Sequence, residues 1–563
     1  MPLLNKGDAS ANGSTWSESA KLAVAAAALG IGVAAAFFST LGASPLIEPD
    51  EARYAEIARE MLVRGDWVTP TLNFVPYFEK PPLVYWLTTI SLALFGQHDW
   101  AVRLWPALSG LVGVGCTARL AASMFGWPTG LLAGAILATT PLYFGMSQVL
   151  TLDMPLTAWC TASLVCAWFV LARVPGRPTI AVVVFWLALG LGVLTKGPVA
   201  VVLVLGTLVL YALAIGKPGV LVRLVWVPGI VLFLVVAVPW FVLLSWRHPE
   251  FVSFFFVEQH LARYARPWEH REPPWFYIPV LLAGTLPWCA LSAWAMVRVP
   301  GKLTSVQLGR EDLFLGLWFA TVLLFFSVSG SKLATYILPA LPPLAILFAR
   351  FLGERLAPLG SKPYRVIGDA AWLLGLAVLG AARVVPIFST HHRAQMLPAA
   401  LVEGALLLLL GGLGLRLVAS RWQGAPWALF AALVGLLWGI ELVTFANRAV
   451  AEQYTPLAQA IRRQWAPGDR IVLYRHYTQG IPYYTGQRVV VVGAWGELDF
   501  GSRYDPQGEF FWKSEGRLVE EWRKSQRMFL VINAADLRAL EDRLEPKPRA
   551  IARWGKKLVV VNF

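Results

Sequence analysis

Long apolar runs separated by short polar links fill most of the chain to about residue 446, and an alternating, mixed pattern follows. Runs suited to crossing a bilayer lie near 21–41, 101–122, 128–146, 155–172, 179–195, 197–215, 222–245, 275–297, 312–329, 335–352, 367–386, 398–415 and 426–446. A further run, PPLVYWLTTISLALFG at 81–96, falls short of the roughly twenty residues a bilayer core requires. Loop charge decides how to treat it. With 81–96 laid along the interface, the basic links all fall on the inner face: Arg119, RVPGRP, GKPGVLVR, RVPGKLTSVQLGR, ARFLGERLAPLGSKPYR and RLVASRWQG. Segments 42–100, 147–154, 246–274 and 387–397, the links at Lys196 and 330–334, and everything after 446 then lie outside, as the positive-inside rule requires. Counting 81–96 as a span would move the later basic links outside. The expected fold is therefore a polytopic α-helical membrane protein of about 13 transmembrane helices, with the N-terminus inside and the C-terminus outside. Residues 1–20 read as a polar cytoplasmic tail without a cleavable signal.

Residues 448–563 read differently. PLAQAIRRQWAPGDR has the pattern of an amphipathic helix closed by Pro-Gly, and GRLVEEWRKS that of a second helix. Between and after them IVLYRHY, RVVVVG, MFLVINA and KLVVVNF read as strands. The expectation is a small α/β domain on the outer face. It holds no GxGxxG, no Walker sequence and no paired Cys/His ligands, so its expected role is structural or in recognition. No internal repeat is visible.

Composition agrees with the membrane reading: 57% of the residues are hydrophobic and 15% charged, against about 25% charged in a soluble protein. Cys116, Cys160, Cys166 and Cys289 all sit in apolar stretches and form neither a disulfide framework nor a metal site. The net charge of +14 has no basic stripe interleaved with aromatics in a soluble segment. It therefore points to anionic lipid or an anionic substrate, not to nucleic acid. No protein partner is expected.

Against this background ASPLIEPDEARYAEIAREMLVRGDW, at 43–67, is unusually rich in charge. Its i,i+3 and i,i+4 spacing is that of a solvated helix, and Asp50 after Pro49 has the position of an N-cap. The topology also puts Asp50, Glu79, Lys80, Asp153, Lys196 and Lys332 on one face of the membrane. Ionisable residues gathered in this way suggest a site, although each alone suits snorkelling at the interface.

Four segments carry a resemblance: EPDEARYAEIAREML with FVPYFEKPPLVYW, LTLDMPLTAW, EQHLARYARPWEHREPPWFYIPVLLAGTLPW, and SKLATYILPALPPLA. Together they resemble glycosyltransferases of the GT-C class that use polyprenyl-phosphate sugars. They look most like the lipid A 4-amino-4-deoxy-L-arabinose transferases, a branch similar to the protein O-mannosyltransferases. The resemblance covers roughly 20–350 and is weak in the tail. It implies an undecaprenyl-phosphate aminoarabinose donor, a lipid A phosphate acceptor and a site on the periplasmic side of a bacterial inner membrane. It also implies resistance to cationic peptides such as polymyxin.

The residues suit that chemistry. The leaving group is a lipid phosphate that gains charge in the transition state, which calls for fixed cations. Arg53, Lys80, Lys196, Arg263, Arg266 and Lys332 are the candidates, with Lys80 foremost because Pro81-Pro82 stiffens its backbone where the interfacial helix begins. Tyr54, Tyr77 and Tyr336 are candidate substrate contacts. Asp50 and Asp153 are expected to flank the sugar. A hydroxyl acceptor would need one of them as general base. A phosphate acceptor, with a second pKa near 6, would not, and the aspartates would then orient the sugar or pair with its ammonium. No cofactor is required by this reading. A divalent metal is the one candidate, with Glu79 and His260 as ligands beside an aspartate. The loop 246–274 has the length and the Pro273-Pro274 exit of a lid, with Trp246 and Trp268 as interfacial anchors. A related transferase acting on protein or another lipid is the alternative. A lipid-linked sugar flippase fits less well, since transporters concentrate polar residues near the bilayer midplane.

Overall fold

A computed structural model describes residues 18–42, 44–174, 178–262, 271–286, 288–298, 309–356, 369, 454–524 and 526–563. The candidate spans at 367–386, 398–415 and 426–446 lie outside the described residues, and so do Arg263 and Arg266.

The chain opens with α1 (Glu18–Ser39), then α2 (Asp50–Arg64), a hairpin of β1 (Thr71–Leu72) and β2 (Val75–Pro76), and α3 (Leu83–Phe95). The helices α4 (Asp99–Phe125), α5 (Trp127–Ala138), α6 (Pro141–Ser147), α7 (Asp153–Leu171), α8 (Pro178–Lys196), α9 (Val199–Ala214) and α10 (Val227–Arg247) follow. After them come α11 (Tyr277–Gly284), α12 (Trp288–Arg298), α13 (Arg310–Val328), a 3₁₀ turn at Ala334–Ala340 and α14 (Leu341–Leu356).

Among the described residues six helices are long and apolar enough to cross a membrane, or up to eight if each of two bent pairs is one span. The run expected at 128–146 is one such pair: α5 and α6 meet at 66°. Pro141 ends the regular ladder, and the Thr139 and Thr140 hydroxyls donate to the Ala135 and Ile136 carbonyls at 2.8 and 2.7 Å. The break thus leaves those carbonyls satisfied within apolar surroundings. The run at 275–297 bends by 90° between α11 and α12. At 13 and 16 residues, α3 and α9 are about 20 and 24 Å long, both short of a roughly 30 Å hydrocarbon core, although the run at 197–215 is expected to span; α3 packs on α2. Close approaches at glycine hold the bundle together. A Cβ on Gly130 would meet the Ala118 carbonyl of α4 at 2.6 Å, and one on Gly113 would meet the Tyr143 hydroxyl at 2.0 Å.

The charged run departs from its expected solvated form. Glu51, Glu56 and Glu60 are fully buried and Arg59 nearly so. Periodicity cannot reveal what covers a helix, and here the cover is the C-terminal domain. Ile57, Ala58 and Met61 of α2 share one apolar core with Leu457, Ile461, Ile481 and Tyr483. Glu56 pairs with Arg59 at 2.7 Å, and Glu60 accepts from the Thr71 hydroxyl and the Phe74 N–H at 2.7 and 2.9 Å. Glu51 meets Arg103 of α4, whose five N–H groups are all used. Two go to Glu51 at 2.8 and 2.7 Å, and three go to the carbonyls of Leu41, Ser44 and Pro45. Glu51 also accepts from the Leu150 and Ile47 N–H groups at 2.7 and 2.9 Å.

The C-terminal domain comprises α15 (Thr455–Gln464), β3 (Arg470–Tyr474), α16 (Gly480–Thr485), β4 (Val490–Val492), β5 (Phe511–Trp512), α17 (Glu515–Trp522), β6 (Met528–Asn533), α18 (Ala534–Leu540), β7 (Arg549–Trp554) and β8 (Lys557–Val561). All four expected strands and both expected helices are present. The sheet has six strands in the order β5-β4-β3-β6-β8-β7; β5, β4, β3 and β6 are parallel, and β8 and β7 antiparallel. β5 and β7 carry no clear sequence signal, one being very short and the other mostly exposed with a register shift. The β1–β2 hairpin, also unforeseen, docks its Asn73 on this domain. The Asn73 amide donates to the Val489 carbonyl at 2.9 Å and accepts from its N–H at 3.1 Å.

Arg103→Met leaves the buried Glu51 carboxylate without its counter-charge, a loss of about 3–5 kcal/mol. Thermal unfolding of detergent-solubilised protein should show a clear drop for it, largely recovered in Glu51→Leu/Arg103→Met; equal melting of wild type and single variant would exclude the role given to the pair. Burial pushes the Glu60 carboxyl up to about 8, with Glu56 adding to it and the bonds from Thr71 and Phe74 opposing. Glu48, buried against the Gly480 N–H, is also pushed up to about 8, by burial. A folded-state value raised above the ordinary 4.5 means that the folded chain holds more protons. Stability from these groups is therefore fully present below 4.5 and lost as pH rises through about 8. Melting temperature should fall across that window, and Glu48→Gln/Glu60→Gln should flatten the fall; an unchanged slope would count against it.

Candidate active site

Asp50 is the first residue of α2, not its N-cap. Pro49 holds the capping position and no side chain caps the helix. The reason is local, since the Asp50 carboxylate turns to pair with Arg53 one turn on. The Asp50 side chain is 48% exposed, against 14% for Glu497. Arg53 pairs at the same time with Glu497 of the C-terminal domain, and the Gln479 amide donates to the other oxygen of Glu497. The Arg53 guanidinium lies 5.1 Å from the Tyr54 ring centroid, and that ring packs 5.9 Å from Tyr85.

Tyr77 leaves the hairpin and is buried, as is Tyr85 on α3; neither hydroxyl has a protein partner among the described residues. Burial pushes both phenols well up, while Arg53 draws them down and Glu79 and Glu497 push further. The Tyr54 phenol is also pushed well up by burial; Arg53 opposes, and both Asp50 and Asp153 add to it. Tyr54 therefore lies within electrostatic reach of both aspartates. All three phenols stay protonated and able to donate at neutral pH. Glu79 and Lys80 are half-buried on the turn before Pro81-Pro82, where α3 begins.

Asp153 is the first residue of α7 and pairs with Lys196, the last of α8. The Lys196 ammonium sits 4.0 Å from the Tyr336 ring centroid, a cation–π contact that holds it in place. Both partners are nearly buried. Lys332 differs from its expected role as a free cation. Its ammonium donates to the Glu272 and Ser329 carbonyls at 2.9 and 2.6 Å, beside an Arg271–Ser331 bridge. Two of its three N–H groups thus fasten the link before the 3₁₀ turn to the end of the 246–274 loop. Trp246 is 82% exposed, as an interfacial anchor would be. Arg263, Arg266, Trp268 and the side chain of His260 lie outside what is described. Among the described residues no three His, Cys, Asp or Glu side chains are gathered to hold a metal.

The structure thus brings Asp50, Tyr54, Tyr77 and Glu497 around the Arg53 guanidinium, with Glu79 in electrostatic reach of Tyr77 and Glu497, and Asp153 and Tyr336 around the Lys196 ammonium. Glu497, Gln479 and Tyr85 were missed by sequence reasoning. Glu497 lies 444 residues from its partner, and no local pattern distinguishes it from a surface carboxylate. Buried hydroxyls without protein partners are groups that a bound molecule can complete. With the flanking carboxylates and cations they suit a polar ring carrying both phosphate and ammonium.

Comparison with known proteins places these features in a family. Residues 24–255 match the family model described as dolichyl-phosphate-mannose-protein mannosyltransferase, and residues 457–562 match the aminoarabinose transferase C-terminal domain. The tail therefore shares the likeness that the sequence motifs carried only to about residue 350. The crystal structure of ArnT from Cupriavidus metallidurans bound to undecaprenyl phosphate superposes with a TM-score of 0.84 at 28% identity, over 97% of this chain and 99% of that one. The undecaprenyl phosphate-α-4-amino-4-deoxy-L-arabinose arabinosyl transferase of Serratia proteamaculans is 34% identical over 70% of this chain and 73% of its own length. Its namesake from Photorhabdus laumondii is 30% identical over 82% of this chain and 83% of its own length. With relatives 34% and 30% identical over 70% and 82% of its length, and a family-model match in its helical part and in its tail, the chain belongs to the family of undecaprenyl phosphate-aminoarabinose arabinosyl transferases.

Proposed function

We propose that this membrane enzyme transfers 4-amino-4-deoxy-L-arabinose from undecaprenyl phosphate to a phosphate of lipid A, at the periplasmic face of the bacterial inner membrane. The observation that carries the reading is the pairing of two acid–cation clusters at one end of the bundle, Asp50–Arg53–Glu497 and Asp153–Lys196, with Tyr54 in reach of both aspartates. In this reading residues 21–447 form the transferase unit, and 448–563 a periplasmic domain that closes one wall of its site.

An oxygen of the acceptor phosphate attacks the anomeric carbon as the bond from that carbon to the donor phosphate oxygen breaks. Undecaprenyl phosphate leaves with the electron pair. The acceptor is already an oxyanion at neutral pH, so no side chain has to remove its proton. What the protein supplies is fixed positive charge where the leaving phosphate gains negative charge. Lys196 is held for this by Asp153 and the Tyr336 ring, and Lys80 stands at the rigid start of α3. Arg263 and Arg266 are further candidates. Asp50, Glu79 and Glu497 provide the negative side of the site, suited to the sugar's ammonium. Tyr54, Tyr77 and Tyr85 can donate to its ring substituents. Adding a cationic sugar to an anionic head group weakens the attraction of that surface for cationic peptides such as polymyxin.

The deciding experiment expresses the chain in cells that make the aminoarabinose donor but lack their own transferase, and weighs their lipid A. An aminopentose mass gain that depends on the chain is expected. Unchanged lipid A from cells with confirmed membrane insertion would redirect the reading to a protein or other lipid acceptor. In the same assay Asp153→Asn should lower transfer by about a hundredfold or more, because Lys196 loses the charge that positions it. Donor binding should persist. Glu497→Gln removes one charge-assisted bond to Arg53, for an expected loss of roughly ten- to a hundredfold in turnover together with a modest drop in melting temperature. Wild-type rates for Glu497→Gln would remove the C-terminal domain from the site.

A further inference from the structure

The C-terminal domain has a concavity that the transfer reaction does not use. From β3 the chain moves outward through β4 to β5, then crosses back to place β6 on the opposite side of β3. The winding therefore reverses between β3 and β6, and all four strands are parallel there. In open α/β sheets such a reversal opens a crevice beyond the carboxyl ends of the strands, where ligands bind. A cavity of about 500 Å³ lies beyond the carboxyl ends of β3, β4 and β5, beside that reversal and not within it, lined by Tyr474, Arg475 and His476 at the end of β3, Gly493 and Ala494 after β4, and Lys513 and Glu515 after β5. That volume accommodates a substituted monosaccharide.

Its walls are built for the position. Arg475 has φ +60° and Gly493 φ +86°, and the two N–H groups donate to the Val492 and Trp512 carbonyls at 2.8 and 2.9 Å. These bonds extend the strand ends into a fixed rim. The carboxylates at the rim are already engaged. Glu515 accepts from Arg475 at 2.9 Å, from Arg543 at 3.2 Å and from the Tyr474 hydroxyl, and Asp536 takes Arg475 at 3.3 Å. Three cations, Arg475, Arg543 and Lys513, thus face two carboxylates. Lys513 is exposed to the cavity and has no partner among the described residues. The His476 Nε2 lies 3.3 Å from the Asn533 amide nitrogen. With that nitrogen as donor, Nε2 accepts and the imidazole keeps its proton on Nδ1, free to donate.

We propose that this cavity binds a phosphorylated sugar, with Lys513 on the phosphate and His476 and the rim on the ring. This site stands independently of the transfer chemistry, although the same two loops serve both. Gln479, three residues beyond His476, and Glu497, three beyond Ala494, are the groups that reach the Arg53 cluster. A ligand held here is consequently held beside the active site. Its source is either the head group of a phosphorylated glycolipid or a soluble sugar phosphate.

Full-length protein in detergent is titrated with glucose 6-phosphate, with glucose as control, by saturation-transfer NMR and calorimetry. In parallel, protein in nanodiscs with and without a phosphorylated glucosamine lipid is tested for binding of that lipid. Saturable binding in either arm, at least about tenfold weaker in Lys513→Glu and retained in Lys513→Arg and in Lys196→Ala, is the expected result. Binding of the soluble sugar assigns the cavity to free sugar phosphates; binding of the lipid alone assigns it to a membrane head group. Unchanged melting of Lys513→Glu separates loss of the site from loss of the fold. Absence of saturable binding in both arms, or binding indifferent to both Lys513→Glu and His476→Ala, overturns the proposal.

Discussion

The buried pair Glu51–Arg103 is the constraint on which the rest of the site depends. A guanidinium taken into an apolar bundle must have every N–H answered, and here two carboxylate contacts and three carbonyls answer all five. In doing so it ties the end of α1, the link to α2, the first turn of α2 and α4 to one point. Glu51 also holds the Leu150 N–H, three residues before Asp153. Asp50 is the chain neighbour of Glu51. Both aspartates thus lie within three residues of a contact made by this one ion pair.

A second layer of buried charge joins the helical part to the C-terminal domain. Arg53 spans the joint by pairing with Asp50 on its own helix and Glu497 on the other side. Glu48 meets Gly480, Asn73 meets Val489, and the apolar face of α2 is covered by α15 and α16. Gly480 follows β3 and Glu497 follows β4, whereas Val489 lies just before β4 and α15 before β3. The sheet therefore presents its carboxyl-end loops both to the membrane site and to its own cavity. The lack of nucleotide or metal motifs suggests a structural or recognition role for this domain, and its contacts with α2 are of the structural kind.

Much of this architecture was legible in the residues. Apolar runs and basic links identified a polytopic helical protein, kept 81–96 out of the span count and gathered Asp50, Asp153 and Lys196 at one end. Alternation marked the four long strands of the tail. Other features were not legible, for definite reasons. Arg103 is a lone arginine just inside an apolar run, a signal that intramembrane charge is paired but not with what. The acidic stretch of α2 was taken for a solvated face because charge spacing along a helix says nothing about a domain that returns from hundreds of residues away to cover it. Glu497 and Gln479 were unreadable for the same reason.

By itself, then, the sequence determined the membrane class, the order of the elements, the family likeness and the candidate acids and bases, because hydropathy, loop charge and short motifs are local properties of the chain. Only the tertiary structure decided which charges are buried in pairs, which buried hydroxyls have no protein partner among the described residues, and that the tail packs against α2. Those outcomes depend on desolvation and on partners far apart in the chain, and a buried charge acquires its meaning only from the group that folding places against it.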